Sequence, residues 1–446
     1  MAGGMARDDV IAFIHDLRFE DLPDDVIGQA KRCLLDLIGT AAGGYTTDIS
    51  RIIRNHVVAH FASGDGEGAR LLFDGRRASL PGAALAGGMM IDSLDSHDGH
   101  VLTKGHVGVA VFPALLALVD GCGVEAREFL AALALGYEVA TRAGIALHAT
   151  ACDYHSSGAW NALGCAALGA RALKLSPEQT RHALGIAEYH GPRSQIMRCV
   201  DYPTMVKDGS GWGAMAGLSA ALLAEGGFTG APALTLESDA AAPVWGDLGQ
   251  RWHIREQYFK AYPVCRWAQP AIEAALSLQR AHGLAADQIV RVEVSTFHEA
   301  TRLAARSPQS TEEAQYSLPF PVAAALVRGR VGAAEVTGAA LRNRAILRLS
   351  REMTLTEHGA YNARFPAERW AHVTFWLDDG TRLTSAPAAA RGNPENPLSD
   401  DELLEKYRLL AGPVLGRERA ERLRAGVDDL PAGDWYSWLD LLLSGL

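Results

Sequence analysis

Apolar positions along the first 230 residues recur mostly at helical spacing. From Pro23 onward, Val26, Ile27, Ala30, Cys33, Leu34, Leu37, Ile38 and Ala41 mark one helix. Asp24 and Asp25 sit in its first turn, where the helix dipole favours them, and Gly43-Gly44 stops the run. The same periodicity predicts helices over 108–121, 126–148, 159–174, 178–187 and 211–226. Stretches such as GCAALGARALKL and GAMAGLSAALLAEGG are rich in Ala and Gly and apolar on more than one face. Small residues let helices approach closely, so these read as the buried centre of a bundle.

After about residue 270 the pattern changes. Val290, Val292 and Val294 alternate with Arg291, Glu293 and Ser295, the signature of a half-buried strand. Val373, Phe375 and Leu377 alternate likewise, and Asp378-Asp379-Gly380-Thr381 reads as a hairpin turn into Arg382-Leu383-Thr384. Helical stretches at 266–282, 319–328 and 333–342 accompany the strands without βαβ regularity, which predicts an α+β module. Helical grammar returns at Ser399, an N-cap with Glu402 as its capping-box partner. The expected organisation is mostly α: a helical domain over 1–265, completed by 400–446, with an α+β domain over 266–399.

Composition narrows the function classes. A chain of 446 residues is expected to form two domains, and 48% hydrophobic with 21% charged residues is globular. A formal net charge of -10 argues against general nucleic-acid binding, and it makes lysines near loops informative. The six cysteines are scattered, with no CxxC pair, and most read as reduced core thiols rather than metal ligands. The N-terminus MAGGMARDDVIAFIHDL lacks the pattern of a secretory signal, and the apolar runs read as too broken to span a membrane. These readings predict a cytoplasmic protein with no membrane or nucleic-acid partner.

Five islands carry candidate chemistry. Asp92, Asp95, His97, Asp98, His100, Lys104 and His106 fall within fifteen residues and run straight into an apolar helix. Such density is costly unless the segment is solvated or lines a cleft. Its Asp/His spacing admits a metal but lacks an HExxH arrangement. YHSSGAWNALG places Tyr154, His155 and Trp160 ahead of a small-residue helix; MVKDGSGWGAMAG places Lys207 before a glycine-rich helix start suited to an anion. YFKAYPVCRW brings Lys260, Tyr262, Cys265 and Arg266 to the domain junction, and AQYSLPFPVAAAL holds Tyr316, Ser317 and Phe320. Phosphate-loop, dinucleotide and serine-hydrolase signatures are missing from the sequence.

Taken in order, these islands resemble the MmgE/PrpD family. The carrying stretches are LPDDVIGQAKRCLLDLIGTAAGG, LDSHDGH…GHVGVAVFPALLAL, GYEVATRAGIALH, GAWNALGCAALGA, KDGSGWGAMAGLSAALLAEGGFTG, YFKAYPVCRWAQPAIEA, AQYSLPFPVAAAL and RGNPENPLSDDELLEKY. The resemblance spans nearly the whole chain. It implies a large helical domain with a smaller α+β lid domain, a homodimer, and a small carboxylate substrate handled with no cofactor and no metal. The reactions it implies are dehydration of a 2-methylcitrate-like acid, decarboxylation of a cis-aconitate-like acid, or epimerisation of a dicarboxylate. It maps catalytic roles onto Asp95, His106, Lys207 and Lys260. Lys104, His155, Trp160, Cys265, Arg266 and Phe320 are the expected substrate-binding residues. The sequence departs from the family pattern at Trp160 and Gln269, where histidines are usual, which leaves lyase, epimerase and non-catalytic binding readings open. His106 is the expected general acid/base, and the lysines the expected anion stabilisers.

Overall fold

The computed structural model describes residues 2–64 and 68–446. The expected helices form, as Asp24–Gly44, Gly108–Cys122, Ala126–Thr150, Gly158–Ala172, Pro177–His190 and Ser210–Glu225. Pro23 is the N-cap of the first of these, with Asp24 and Asp25 in its opening turn. Three further helices, Ala2–Asp16, Asp48–His60 and Leu80–Asp92, join them. Their signals are weaker: Leu80–Asp92 is nearly uniformly apolar and small, so it lacks a polar face to reveal its period.

Ala126–Thr150 corrects one expectation, being long and apolar enough by length and composition to span a membrane. Of its most apolar window, 94% is buried, with Gly108–Cys122 and Gly158–Ala172 packed alongside.

Two apolar cores organise the chain. The first joins the N-terminal helices to Leu403, Tyr407, Leu423 and Trp438, so the C-terminal helices pack with the bundle. Asp400–Leu415 lies against Asp24–Gly44, and Ser399 and Glu402 form the expected reciprocal cap at its start. The second core gathers Ile272, Val292, Val294, Phe320 and Phe375, and draws in Cys199 and Val200 from the preceding segment. The chain therefore combines a large helical domain with a smaller α+β domain.

In the α+β domain, Ile289–Thr296 pairs parallel with Thr354–Glu357 and antiparallel with Trp370–Leu377, which continues to Arg382–Thr384. Alternation in the first strand departs from expectation. A register shift between Ile289 and Arg291 turns Ile289 inward and leaves Val290 exposed, while Val292 and Val294 stay buried. Gly380 supplies the positive φ of the hairpin turn. The stretch expected as one helix over 333–342 is broken: Ala333–Val336 ends at an extended Thr337, and Gly338, at φ 53°, starts a 3-10 turn.

Candidate active site

The densest polar cluster of the sequence folds inward. Asp92, Asp95, His97, Asp98 and His100 are all buried, which rules out a solvated loop. A short antiparallel ladder fixes the segment's far end, with Gly99 opposite Tyr258 and His100 opposite Gln257. Glu256 anchors this ladder, standing 3.5 Å from both His100 Nε2 and His253 Nδ1 while Arg251 grips both its oxygens. Two residues along from Tyr258, Lys260 is carried to the cluster. Its Nζ donates to the Asp95 carboxylate at 2.8 Å and to the Asp95 carbonyl at 3.0 Å.

Further support arrives from distant parts of the chain. Lys406 Nζ, on the Asp400–Leu415 helix, reaches Asp36 and the Ser96 carbonyl at 2.5 Å each. Tyr137 donates to Asp98 at 2.6 Å, and burial pushes that carboxyl up to about 7. Around Lys260, Gln269 accepts from the Ala261 N–H and donates to the Tyr262 and Val264 carbonyls, clamping the turn. The RGNPENP stretch seats beside it. A side chain at Gly392 would strike the Phe259 carbonyl at 2.0 Å, so only glycine permits this approach.

His106 is held by its backbone and by one ring nitrogen. Its N–H donates to Ser157 Oγ at 2.9 Å, and Asn161 Nδ2 donates to its carbonyl at 3.0 Å. Ring Nδ1 lies 2.6 Å from the Asp98 carbonyl, which can only accept, so Nδ1 carries the proton and Nε2 offers a lone pair. Burial, then the Lys260 charge, lowers the imidazole to about 3, and it is neutral. His97 packs edge-on against it at 4.4 Å and is likewise held neutral by burial.

Asp95 is the opposite case. Burial works to raise its carboxyl, but Lys260 and Lys207 outweigh this and hold it below the usual carboxylate value, so it is ionised. Its second oxygen is buried without a protein partner. Asp95, Lys104 and Lys207 all adopt positive φ, at 56°, 53° and 49°. Non-glycine residues rarely sit there, and such strain concentrates at functional sites.

Lys207 Nζ donates to Gln315 at 2.6 Å and lies 4.9 Å over the Tyr316 ring. The anion site expected at the glycine-rich helix start beyond it faces one of the protein's own carboxylates. Asp92 faces the Ser210 N–H there, with burial lifting it to about 6. Asp208 in turn accepts from Ser157 N–H and Oγ, and burial raises it to about 7.

These groups surround a narrow cleft of about 60 Å³ where the two domains meet. Of the expected residues, Asp95, Lys104, His106, Lys260, Cys265 and Arg266 line it, and Lys207 stands at its border. The Cys265 thiol is pushed up to about 11 by burial and is protonated. Arg266 is largely committed to structure, donating to the Arg391 carbonyl at 2.6 Å and to Asn393.

Three expected substrate contacts lie elsewhere. Trp160 is 1% exposed and packs behind the 103–106 loop, against Gly105 and Gly144, so it props the loop rather than facing the cleft. Phe320 is fully buried in the second core. His155 stacks on His148 and contacts Arg193, away from the cleft lining. The cleft adds Asp208, Tyr258 and Arg369, which the sequence reading did not select, and Tyr154 and Tyr316, which it placed in candidate islands without assigning them to the site. Asp208 adjoins Lys207 in the same motif and was legible; Arg369, from the far end of the chain, has no local signal.

Asp95, His97 and His106 bring ligand atoms within 4.8 Å of one another, close enough for a metal. Lys260 already occupies Asp95, and with Lys207 it places positive charge where a cation would sit. The donor set fits an anion better than a metal ion.

Comparison with known proteins gives the same picture along the chain. The MmgE/PrpD N-terminal domain model matches residues 8–245, and the MmgE/PrpD C-terminal domain model matches 262–431. The cis-aconitate decarboxylase-like protein oryM of Aspergillus oryzae is 26% identical, covering 97% of this chain and 96% of its own length. Cis-aconitate decarboxylase of Aspergillus terreus is 23% identical over 94% of this chain and 91% of its own. The Mus musculus cis-aconitate decarboxylase is 25% identical over 97% and 92%.

Proposed function

The chain belongs to the MmgE/PrpD family, and from that premise we propose that it is a cofactor-independent lyase that decarboxylates a small, unsaturated di- or tricarboxylate. The observation that carries the reading is the cleft's charge pattern: Lys260 and Lys207 beside one neutral imidazole with a free Nε2. Similarity to cis-aconitate decarboxylases at 23–26% identity supports the reaction class.

Decarboxylation breaks one carbon–carboxylate bond and leaves its electron pair on carbon. A neighbouring double bond conjugated to a second carboxylate spreads that charge onto oxygen. Fixed cations in a dry site stabilise it without reorganising. Lys260 and Lys207 fill this role, with Lys104 also lining the cleft. One proton must then reach carbon. Among the histidines of the described residues, His106 alone lines the cleft. Decarboxylation needs one proton delivered to carbon, a role His106 fills alone; dehydration would also engage a second group of the cleft, such as Asp208 or Tyr258, as the acid at the leaving hydroxyl.

His106 is neutral in the free protein because burial and the lysines disfavour its charge. Substrate carboxylates offset those lysines, so binding raises its proton affinity and loads it from solvent. Asp95 holds Lys260 in place through the 2.8 Å pair.

A panel of cis-aconitate, citrate, 2-methylcitrate and iminodisuccinate in deuterium oxide tests the reading. Carbon dioxide release from the unsaturated acid supports it. New olefin absorbance from the hydroxy acids would reassign the reaction as dehydration. Deuterium uptake without net change would make it an epimerase, and silence across the panel would leave only a binding role.

A further inference from the structure

One buried cation of the cleft has nothing to balance it. Lys104, Lys260, Arg266 and Arg369 line this space against the carboxyl groups of Asp95 and Asp208. Lys260 is taken up by Asp95, and Asp208 by Ser157. Arg266 is bound to the Arg391 carbonyl and Asn393, and Lys104 is half-buried over the Tyr154 ring. Arg369 is only 8% exposed, and its Nε is fully buried without a partner. Among the described residues its guanidinium makes no hydrogen bond and no ion pair; the Phe365 ring, 5.9 Å away, is its aromatic neighbour. Glu368, adjacent in the chain, does not neutralise it. That carboxylate accepts from Trp370 Nε1 at 2.6 Å, pairs with Arg364 and is 53% exposed.

A buried charge without a partner is costly, and a cleft that keeps one is prepared for an anion. The planar guanidinium, with its terminal nitrogens unbonded, matches a single carboxylate through two parallel hydrogen bonds. Its place in the fold gives it a separate reach. Arg369 leads into the Trp370–Leu377 strand of the α+β domain, whereas Lys207 and Lys260 precede that domain in the chain. We propose that Arg369 is a specificity-determining residue that binds the substrate carboxylate remote from the reacting carbon. Lys260 and Lys207 hold the carboxylate beside His106, and Arg369 selects acids that carry a second one. This rests on the reading of the cleft as a carboxylate site and names the residue that reads the second charge.

The test is ligand-observed NMR titration of the full chain, native and Arg369→Met, with succinate and with butyrate. In butyrate a methyl group replaces one carboxylate, and neither acid has the double bond or hydroxyl that the reactions need. The native chain should prefer succinate. Arg369→Met should weaken succinate by about 10- to 100-fold, as expected for hydrogen bonds between charged groups, and leave butyrate within about twofold. Arg369→Lys keeps the charge without the fork; it should weaken succinate by less, again sparing butyrate, and it carries the test should the methionine variant fold poorly. A merely structural arginine would weaken both acids alike. That result would overturn the assignment alone, as would unchanged succinate affinity in both variants or a native chain that does not distinguish the two acids. Absence of binding of either acid to the native chain would overturn the carboxylate site beneath it as well.

Discussion

Replacing Lys260 with methionine removes the cation nearest Asp95 and keeps most of the side-chain volume. The pair is 2.8 Å apart with side chains only 1% and 3% exposed. At an effective dielectric of 20, unit charges at that separation attract by about 6 kcal/mol. Desolvating both charges cancels much of this, so the pair itself adds little net stability. Breaking it is different. The Asp95 carboxylate would stay buried with Lys207 as its remaining cationic neighbour, and such a loss costs about 3–5 kcal/mol.

The pH dependence should change sign with it. In the native protein the Asp95 carboxyl is held low, so its contribution is present above its unfolded value and lost as pH falls through the folded one. In Lys260→Met the carboxyl is raised, so the variant recovers stability on acidification. Adding Asp95→Asn removes the stranded charge and should restore all but about 1 kcal/mol, the share of the lost Lys260 hydrogen bond to the Asp95 carbonyl. Urea unfolding followed by tryptophan fluorescence at pH 8 and pH 5.5 measures each step. A double variant as unstable as Lys260→Met, or a single variant as stable as the native chain, would refute the argument.

His106→Gln should lower turnover by about 10²- to 10⁴-fold with an unchanged circular dichroism spectrum and unfolding midpoint; retained activity would remove His106 from the chemistry. Asp208 is raised to about 7 by burial, so the stability it contributes is present below its unfolded value near 4 and lost as pH rises through 7. Asp208→Asn should therefore gain stability over the native chain between pH 5 and 7.5, read from unfolding midpoints, and a constant difference would contradict this. Trp160→Ala should cost about 3–5 kcal/mol through the cavity behind the 103–106 loop. It should also impair turnover by loosening His106, whereas a stability loss with unaltered kinetics would detach the two.

Much of this arrangement was legible in the chain because it is local. Helical periodicity, the Ser399 cap and the alternating strands depend on neighbours a few residues apart, and the structure places those elements where that spacing puts them, except at the Thr337 break and the Ile289 register shift. Asp95 and His106 were legible because ionisable groups beside a buried helix demand an explanation. Tertiary contacts obscured the rest. Trp160 stands in the same motif as Ser157, yet Gly105 and Gly144 turn it into packing behind the loop. Lys406, 370 residues from its partner Asp36, supports the Ser96 carbonyl through a fold that no local pattern encodes. The helix start after Lys207 read as an anion site, and it faces an anion from the protein itself, Asp92.

The most direct test of the central claim is turnover of cis-aconitate in deuterium oxide, with carbon dioxide trapped and the product read by proton NMR. The account predicts one carbon dioxide released per deuterium fixed on carbon, and a rate that collapses in His106→Gln. Absence of carbon dioxide from cis-aconitate, or an equal rate in that variant, would contradict it.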